Sequence, residues 1–119
     1  MTEPNYNVEY ECGAQASIDW VAGGNFDGYI FKKSILFKKD SNQAIIKTHI
    51  IDQGRYDGKK SDSEVLGVYE FTDKDTISLK YNDFTMRGKI LGNEKELIAF
   101  SVYHPLIKSE VSEVYQIAQ

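Results

Sequence analysis

Residues 76–91 of the chain read TISLKYNDFTMRGKIL. Apolar or aromatic side chains recur at every second position on both sides of Asn82-Asp83, a dipeptide of turn-forming residues. A period of two is typical of a β-strand with one buried face and one face exposed to solvent. The stretch therefore predicts two antiparallel strands, 76–81 and 84–91, joined by a tight turn.

The same alternation continues toward both termini. It predicts further strands at 29–37, 43–51, 64–71 and 95–104. Short polar turns separate most of them, and such turns join antiparallel neighbours. Two early segments are less regular. Residues 8–11 suggest a short edge strand, and residues 16–22 suggest a strand or a short helix. A break at Gly23-Gly24 and a turn at Asp27-Gly28 are expected to follow.

The C-terminal segment admits two interpretations. Pro105 followed by spaced apolar residues fits a helix that begins with Pro in its first turn. Residues 111–118 are also rich in β-branched and aromatic side chains, and we favour a strand that closes the sheet.

These elements predict an all-β fold, with residues 1–119 forming one domain. We expect an antiparallel up-and-down meander of about seven or eight strands that closes into a small barrel, because closure removes the exposed sheet edges. The alternative is a curled sheet with a C-terminal helix. An eight-stranded barrel has an interior that is either filled by side chains or wide enough for one small ligand.

Composition and charge exclude some functional classes. The net charge is −4, and the 14 basic residues are 12 Lys and only 2 Arg. Nucleic-acid binding needs clustered positive charge, so we expect no nucleic-acid partner. Cys12 is the single cysteine, the N-terminus lacks the pattern of a signal peptide, and no apolar run approaches about 20 residues. We therefore expect a cytoplasmic protein without membrane contact.

Aromatic residues are the one compositional excess, with 8 Tyr, 6 Phe and 1 Trp in 119 residues. Aromatic side chains in such numbers either fill the core of a β-protein or line a ligand cavity. The alternation directs one set of bulky side chains inward, and we take this set as the candidate ligand-binding residues: Tyr29, Phe31, Lys33, Tyr69, Tyr81, Phe84 and Met86.

Lys33 differs from the others because it is charged. It shares a strand face with Phe31 and Ile35, so an inward orientation would place an ammonium group in an apolar interior. Such a group needs a partner, or its pKa falls, and it would then either prefer a ligand with an anionic head group or form a Schiff base. The alternative is a β-bulge near Lys32-Lys33-Ser34 that turns Lys33 toward water.

The chain carries no catalytic or cofactor motif. His49 is expected to point outward, and neither it nor His104 has the sequence neighbours of a metal site. The acidic residues in and beside the long polar segment 52–63 match no calcium-binding loop. We therefore predict no metal, no cofactor and no catalytic residue.

One segment resembles a known group of barrels. Residues 19–29 read DWVAGGNFDGY and resemble the opening of calycin barrels, which include lipocalins and fatty-acid-binding proteins, where a first-strand Trp plugs one end. Asn25–Tyr29 is similar to the Asn-Phe-Asp-x-Tyr stretch of fatty-acid-binding proteins. The chain lacks their helix-turn-helix lid and reads Glu113-Val114-Tyr115 where their Arg-x-Tyr clamp would fall. The resemblance implies an up-and-down barrel and no particular ligand residue.

Three functional hypotheses follow from the pattern. The first is a non-enzymatic module that binds an apolar or amphipathic small molecule in the barrel, with segment 52–63 as a gate. The second is a packed barrel that acts through its surface as a homodimer. The third is an enzyme that uses Lys33, a tyrosine or a histidine. The second rests on apolar residues at outward positions, namely Ile45, Ile51, Leu66 and Val68.

Overall fold

The computed structural model describes residues 2–21, 25–52, 61–104 and 108–118; for 16–21, 25–27 and 104 it describes the backbone alone. This part of the chain contains nine β-strands and no helix. The strands are β1 (Glu9–Cys12), β2 (Gln15–Val21), β3 (Asn25–Phe37), β4 (Gln43–Asp52), β5 (Ser63–Phe71), β6 (Thr76–Tyr81), β7 (Phe84–Leu91), β8 (Leu97–His104) and β9 (Ser109–Ile117).

The sheet is an antiparallel meander that closes on itself. Strands β3 to β9 pair in sequence order, and β1 pairs with both β9 and β3. Tyr10 lies opposite Ile35 of β3 and opposite Ile117 of β9. Strand β1 therefore closes an eight-stranded barrel of β1 and β3 to β9. The predicted barrel is confirmed, but the expectation of an edge strand at 8–11 is wrong, because β1 is paired on both sides.

Residues 109–117 of the C-terminal segment form a strand, not a helix. Strand β9 pairs with β8 along its length, from Leu97 opposite Gln116 to His104 opposite Ser109. This position explains the β-branched and aromatic composition of β9, since it is the strand against which β1 closes the barrel.

Strands β2 and β3 extend beyond the barrel as a two-stranded arm. Within the described part of the chain, strand β2 pairs with β3 alone, from Gln15 opposite Phe31 to Val21 opposite Asn25. The predicted turn at Asp27-Gly28 is wrong, because both residues lie within β3 and face β2. Long antiparallel pairing outweighs the local turn preference of these two residues. The predicted break at Gly23-Gly24 lies outside the described residues.

The core lies inside the barrel and follows the predicted alternation. The largest inner side chains have at most 1% of their surface exposed; they are Tyr10, Ile35, Phe37, Ile77, Leu79, Met86, Ile98, Phe100 and Tyr115. A glycine makes room for one of them: a Cβ atom on Gly88 would lie 2.6 Å from the Phe100 ring. Side chains therefore fill the middle of the barrel.

The N-terminal segment 2–8 covers one end of the barrel, which we call the plugged end. The amide of Thr2 donates to the carbonyl of Lys74, 2.7 Å away, and the Asn5 side chain donates to the carbonyl of Glu94, 2.8 Å away. Pro4, within this segment, is buried. The segment thus connects the β5–β6 turn with the β7–β8 turn.

Candidate functional site

The opposite end of the barrel carries the Asn82-Asp83 turn, and we call it the rim end. Inner side chains are only half-buried here, in contrast to those in the middle. Phe31 and Phe84 are two of these half-buried side chains at the rim. The rings of Tyr81 and Phe84 meet edge to face across the turn, with centroids 5.8 Å apart. Aromatic surface therefore remains accessible at the rim end, as it does at Phe71 of the plugged end.

Lys33 points into the barrel below this rim. The β3–β4 register is continuous from Lys32 to Phe37, and its single irregularity falls between Ile30 and Phe31. The alternative of a bulge around Lys33 is therefore wrong. Lys33 stays on the face of Ile35, and 19% of its side chain is exposed.

Glu113 of β9 is the partner of this ammonium group. Lys33 Nζ lies 3.8 Å from Glu113 Oε1, and 14% of the Glu113 side chain is exposed. Strand β1 separates β3 from β9 lower in the barrel, and it ends at Cys12, opposite Tyr115. The two charges meet just beyond that point. We call Lys33 and Glu113 the inner pair.

Three protonated groups surround the inner pair. The Tyr115 hydroxyl donates to Glu113 Oε1, 3.1 Å away. Burial, followed by the charge of Glu113, raises the pKa of Tyr115 and of Tyr81. Burial also raises the pKa of the Cys12 thiol, whose sulfur accepts a hydrogen bond of 3.1 Å from the Gln15 amide. At neutral pH these groups are uncharged, so the inner pair supplies the ionic character of the cluster.

Aromatic rings cover the inner pair from above. Lys33 Nζ lies 6.0 Å from the centroid of the Phe31 ring, at the outer limit of a cation–π contact. Tyr29 stands two residues further along the same face of β3, and its ring centroid is 5.6 Å from that of Phe31. The site thus combines aromatic rings at the rim with an ion pair below them.

The seven predicted ligand residues fall in three places. Tyr29, Phe31, Lys33, Tyr81 and Phe84 lie at the rim end. Met86 lies in the packed middle with 1% of its surface exposed.

Tyr69 lies at the plugged end. Its hydroxyl is 2.6 Å from the carbonyl oxygen of Lys38 and 2.9 Å from that of Ser41, in the β3–β4 turn. The Tyr69 ring packs against Phe37, with centroids 5.2 Å apart. Phe37 lies four residues along β3 from Lys33, or about 13 Å at the rise of a β-strand. The structure does not bring Tyr69 together with the residues at the rim.

Glu113, Tyr115 and Cys12 are site residues that the sequence reasoning missed. A signal for two of them was present, because Val111, Glu113 and Tyr115 occupy alternate positions of the last strand. Reading 111–118 as an inward-facing strand would have placed a carboxylate and a phenol inside the barrel. The partner strand of Glu113 was not evident, since β3 and β9 are far apart in sequence.

The predicted gate, 52–63, is described only at its two ends. Asp62 accepts a hydrogen bond from the amide of Ile50, 2.8 Å from Oδ1, and its Oδ2 lies 2.8 Å from His49 Nδ1. The Ile50 amide, and then His49, lower the pKa of Asp62. His49 is exposed, as predicted. Residues 53–60 and the His104 side chain lie outside the described part of the chain.

The outward apolar residues form a row on the outside of the barrel. Ile45 lies opposite Leu36 of β3 and opposite Leu66 of β5. Leu66 is 60% exposed, Ile51 50% and Val68 49%, whereas Ile45 is half-buried. We call Leu36, Ile45 and Leu66 the outer row.

Two further observations concern metals and membranes. Among the described residues, no three His, Cys, Asp or Glu side chains are grouped closely enough to hold a metal ion. The described part of the chain also contains no helix long and apolar enough to cross a membrane.

Comparisons with family models, with curated proteins and with solved structures find no match to this chain.

Proposed function

We propose that this barrel binds an amphipathic small molecule at its rim end, without catalysing a reaction on it. The observation that carries the proposal is the inner pair, Lys33 and Glu113, 3.8 Å apart on the inner face. Buried ion pairs often stabilise a fold less than apolar residues of similar volume do. A barrel that only needed to be packed would place apolar side chains there, as it does at Ile35.

The filled interior restricts where the ligand lies. Leu79, Met86 and Phe100 leave at most 1% of their surface exposed, so the middle of the barrel has no accessible surface to offer. The half-buried rings of Phe31 and Phe84 provide apolar surface above the inner pair. The apolar body of the ligand then packs against these rings, and its polar head reaches Lys33 and Glu113.

Titration with an environment-sensitive hydrophobic dye tests this proposal. We expect saturable fluorescence enhancement that small aromatic or aliphatic amphiphiles displace. Phe84→Ala removes rim surface and should weaken dye binding at least fivefold. Val114→Ala is the matched control, because Val114 lies on the outside of β9 with 47% of its surface exposed. Dye binding that is not saturable, or that both variants change equally, would contradict the proposal.

A homodimer through the outward apolar residues Ile45, Ile51, Leu66 and Val68 is a second candidate function. Leu66 and Val68 expose 60% and 49% of their surfaces, and Ile45 is directly opposite Leu66. Contiguous exposed apolar surface is typical of protein interfaces. In this case we expect the wild-type protein to be dimeric by light scattering, and Ile45→Lys to weaken self-association without unfolding the barrel. A protein that stays monomeric at high concentration would remove this candidate.

We further propose a cytoplasmic location. Cys12 is buried and carries a free thiol, which suits a reducing compartment.

A further inference from the structure

We infer that the ligand carries a zwitterionic head group, with an ammonium and a carboxylate close together on an apolar body. This inference rests on the proposed binding function and names the ligand class of the same site. It replaces the expectation of an anionic head group, which considered Lys33 without Glu113. The partners are Lys33 for the ligand carboxylate and Glu113 for the ligand ammonium.

The inner pair leaves hydrogen-bonding capacity for such a head group. Its separation of 3.8 Å exceeds the roughly 2.7–2.9 Å of a charge-assisted hydrogen bond, so the ammonium group keeps its donors available. Glu113 uses Oε1 for the Tyr115 hydroxyl. In the described part of the chain, no protein group donates to Glu113 Oε2. A largely buried carboxylate and ammonium with unused capacity take further partners from water or from a ligand.

The short distance between the two charges disfavours a head group with one charge. A carboxylate placed on Lys33 would lie close to the Glu113 carboxylate, and an ammonium placed on Glu113 would lie close to Lys33. Each would meet a like charge at a largely buried position, where solvent screening is weak. A zwitterion instead presents an opposite charge to each member of the inner pair.

The surrounding groups add no net charge to this balance. Tyr81 and Tyr115 remain protonated at neutral pH because burial and Glu113 raise the pKa of each. Cys12 is also protonated, with 8% of its surface exposed beneath the inner pair. The apolar body extends from the head group toward Phe31 and Phe84, the half-buried rings of the rim.

Calorimetric titration with three indole compounds tests the inference. Tryptophan is the zwitterion, tryptamine the cation and indole-3-propionate the anion, and all three share one apolar body. We expect wild-type protein to bind tryptophan at least tenfold more tightly than either of the others. Lys33→Met should shift the preference to tryptamine, and Glu113→Gln should shift it to indole-3-propionate. The exchanged double variant, Lys33→Glu with Glu113→Lys, should prefer tryptophan again.

Matched controls separate charge recognition from loss of fold. Lys32→Met and Glu110→Gln remove the same charges from exposed neighbouring positions and should keep the wild-type preference. Lys33→Arg retains the charge at the inner position and should also keep it. Circular dichroism and urea midpoints show whether each variant is folded.

The outcomes distinguish the inference from the proposed function. Dye binding with equal affinity for the three indoles, unchanged by Lys33→Met and Glu113→Gln, would overturn the zwitterion and leave the binding function intact. Absence of saturable dye binding to folded wild-type protein would overturn both.

Discussion

The Tyr10 hydroxyl donates a hydrogen bond of 2.7 Å to the backbone carbonyl of Lys95, 85 residues further along the chain. The same oxygen accepts a hydrogen bond of 2.8 Å from the Asn5 amide. Tyr10 has no exposed surface, and it belongs to β1, the strand that closes the barrel. One phenol therefore connects the closing strand, the N-terminal plug and the β7–β8 turn.

Tyr10→Phe should lower the free energy of unfolding by about 1.5 kcal/mol, because it leaves the Asn5 amide and the Lys95 carbonyl without this partner. The urea midpoint of the purified variant measures the loss. Tyr103→Phe is the control, since Tyr103 is 54% exposed and its change should stay within about 0.5 kcal/mol. Equal midpoints for Tyr10→Phe and wild type would show that water replaces both bonds.

Gly88→Ala should destabilise the barrel by about 1–3 kcal/mol, since the new methyl group would lie 2.6 Å from Phe100 and 2.9 Å from Ile98. Thermal or urea unfolding measures the effect. Gly13→Ala has no atom within 4 Å of the added carbon, so its stability should be unchanged or raised by up to about 1 kcal/mol. If both alanines had the same effect, packing at Phe100 would not be the cause.

Removing both charges of the inner pair should destabilise the fold less than the sum of the two single removals. Lys33→Met leaves Glu113 charged and largely buried, and we expect a loss of about 1–3 kcal/mol. The double variant Lys33→Met with Glu113→Gln keeps an acceptor for Tyr115 and should be less destabilised than the sum of the single variants, by about 1 kcal/mol. A double-mutant cycle of urea midpoints gives this coupling. Strict additivity would show that the two charges do not interact in solution.

The tether between Asp62 and β4 should make stability depend on acid pH. The folded-state pKa of Asp62 lies below its ordinary value, chiefly because of the Ile50 amide. Its stabilising effect is therefore present above about pH 4, the unfolded value, and is lost as the pH falls through the folded pKa.

We expect wild type and Asp62→Asn to differ in urea midpoint near neutral pH and to converge below about pH 4. His49→Asn should retain most of this pH dependence, because the backbone amide is the larger cause. A difference between wild type and Asp62→Asn that stays constant from pH 2 to 7 would refute the tether.

Cys12 should react slowly with iodoacetamide in the folded protein. Its thiol is 8% exposed, and burial raises its pKa, so the reactive thiolate is scarce at pH 8. Mass spectrometry should show labelling at least tenfold faster in unfolding concentrations of urea than in native buffer. Equal rates in both conditions would mean that β1 leaves the barrel readily.

Local pattern determined the strands. A period of two can be read from the side chains alone, since neighbouring residues of a strand face opposite sides of the sheet. It predicted β6 and β7 with their observed bounds and β4 and β5 within one residue at each end. It left the face of Lys33 open, because the spacing from Ile35 and Phe37 points it inward whereas a β-bulge would have turned it to water; the continuous β3–β4 register decided for the inward face.

Tertiary structure alone decided which strands close the barrel and which charges meet. Strand β1 has four residues, and its sequence does not indicate that it lies between β3 and β9. The partner of Lys33 is 80 positions away and depends on that closure. Tyr69 and Tyr81 share one inward pattern, yet one hydroxyl lies against the β3–β4 turn and the other ring lies at the rim. Alternation determines the face of a side chain, whereas its height in the barrel and its neighbours follow from pairing between distant strands.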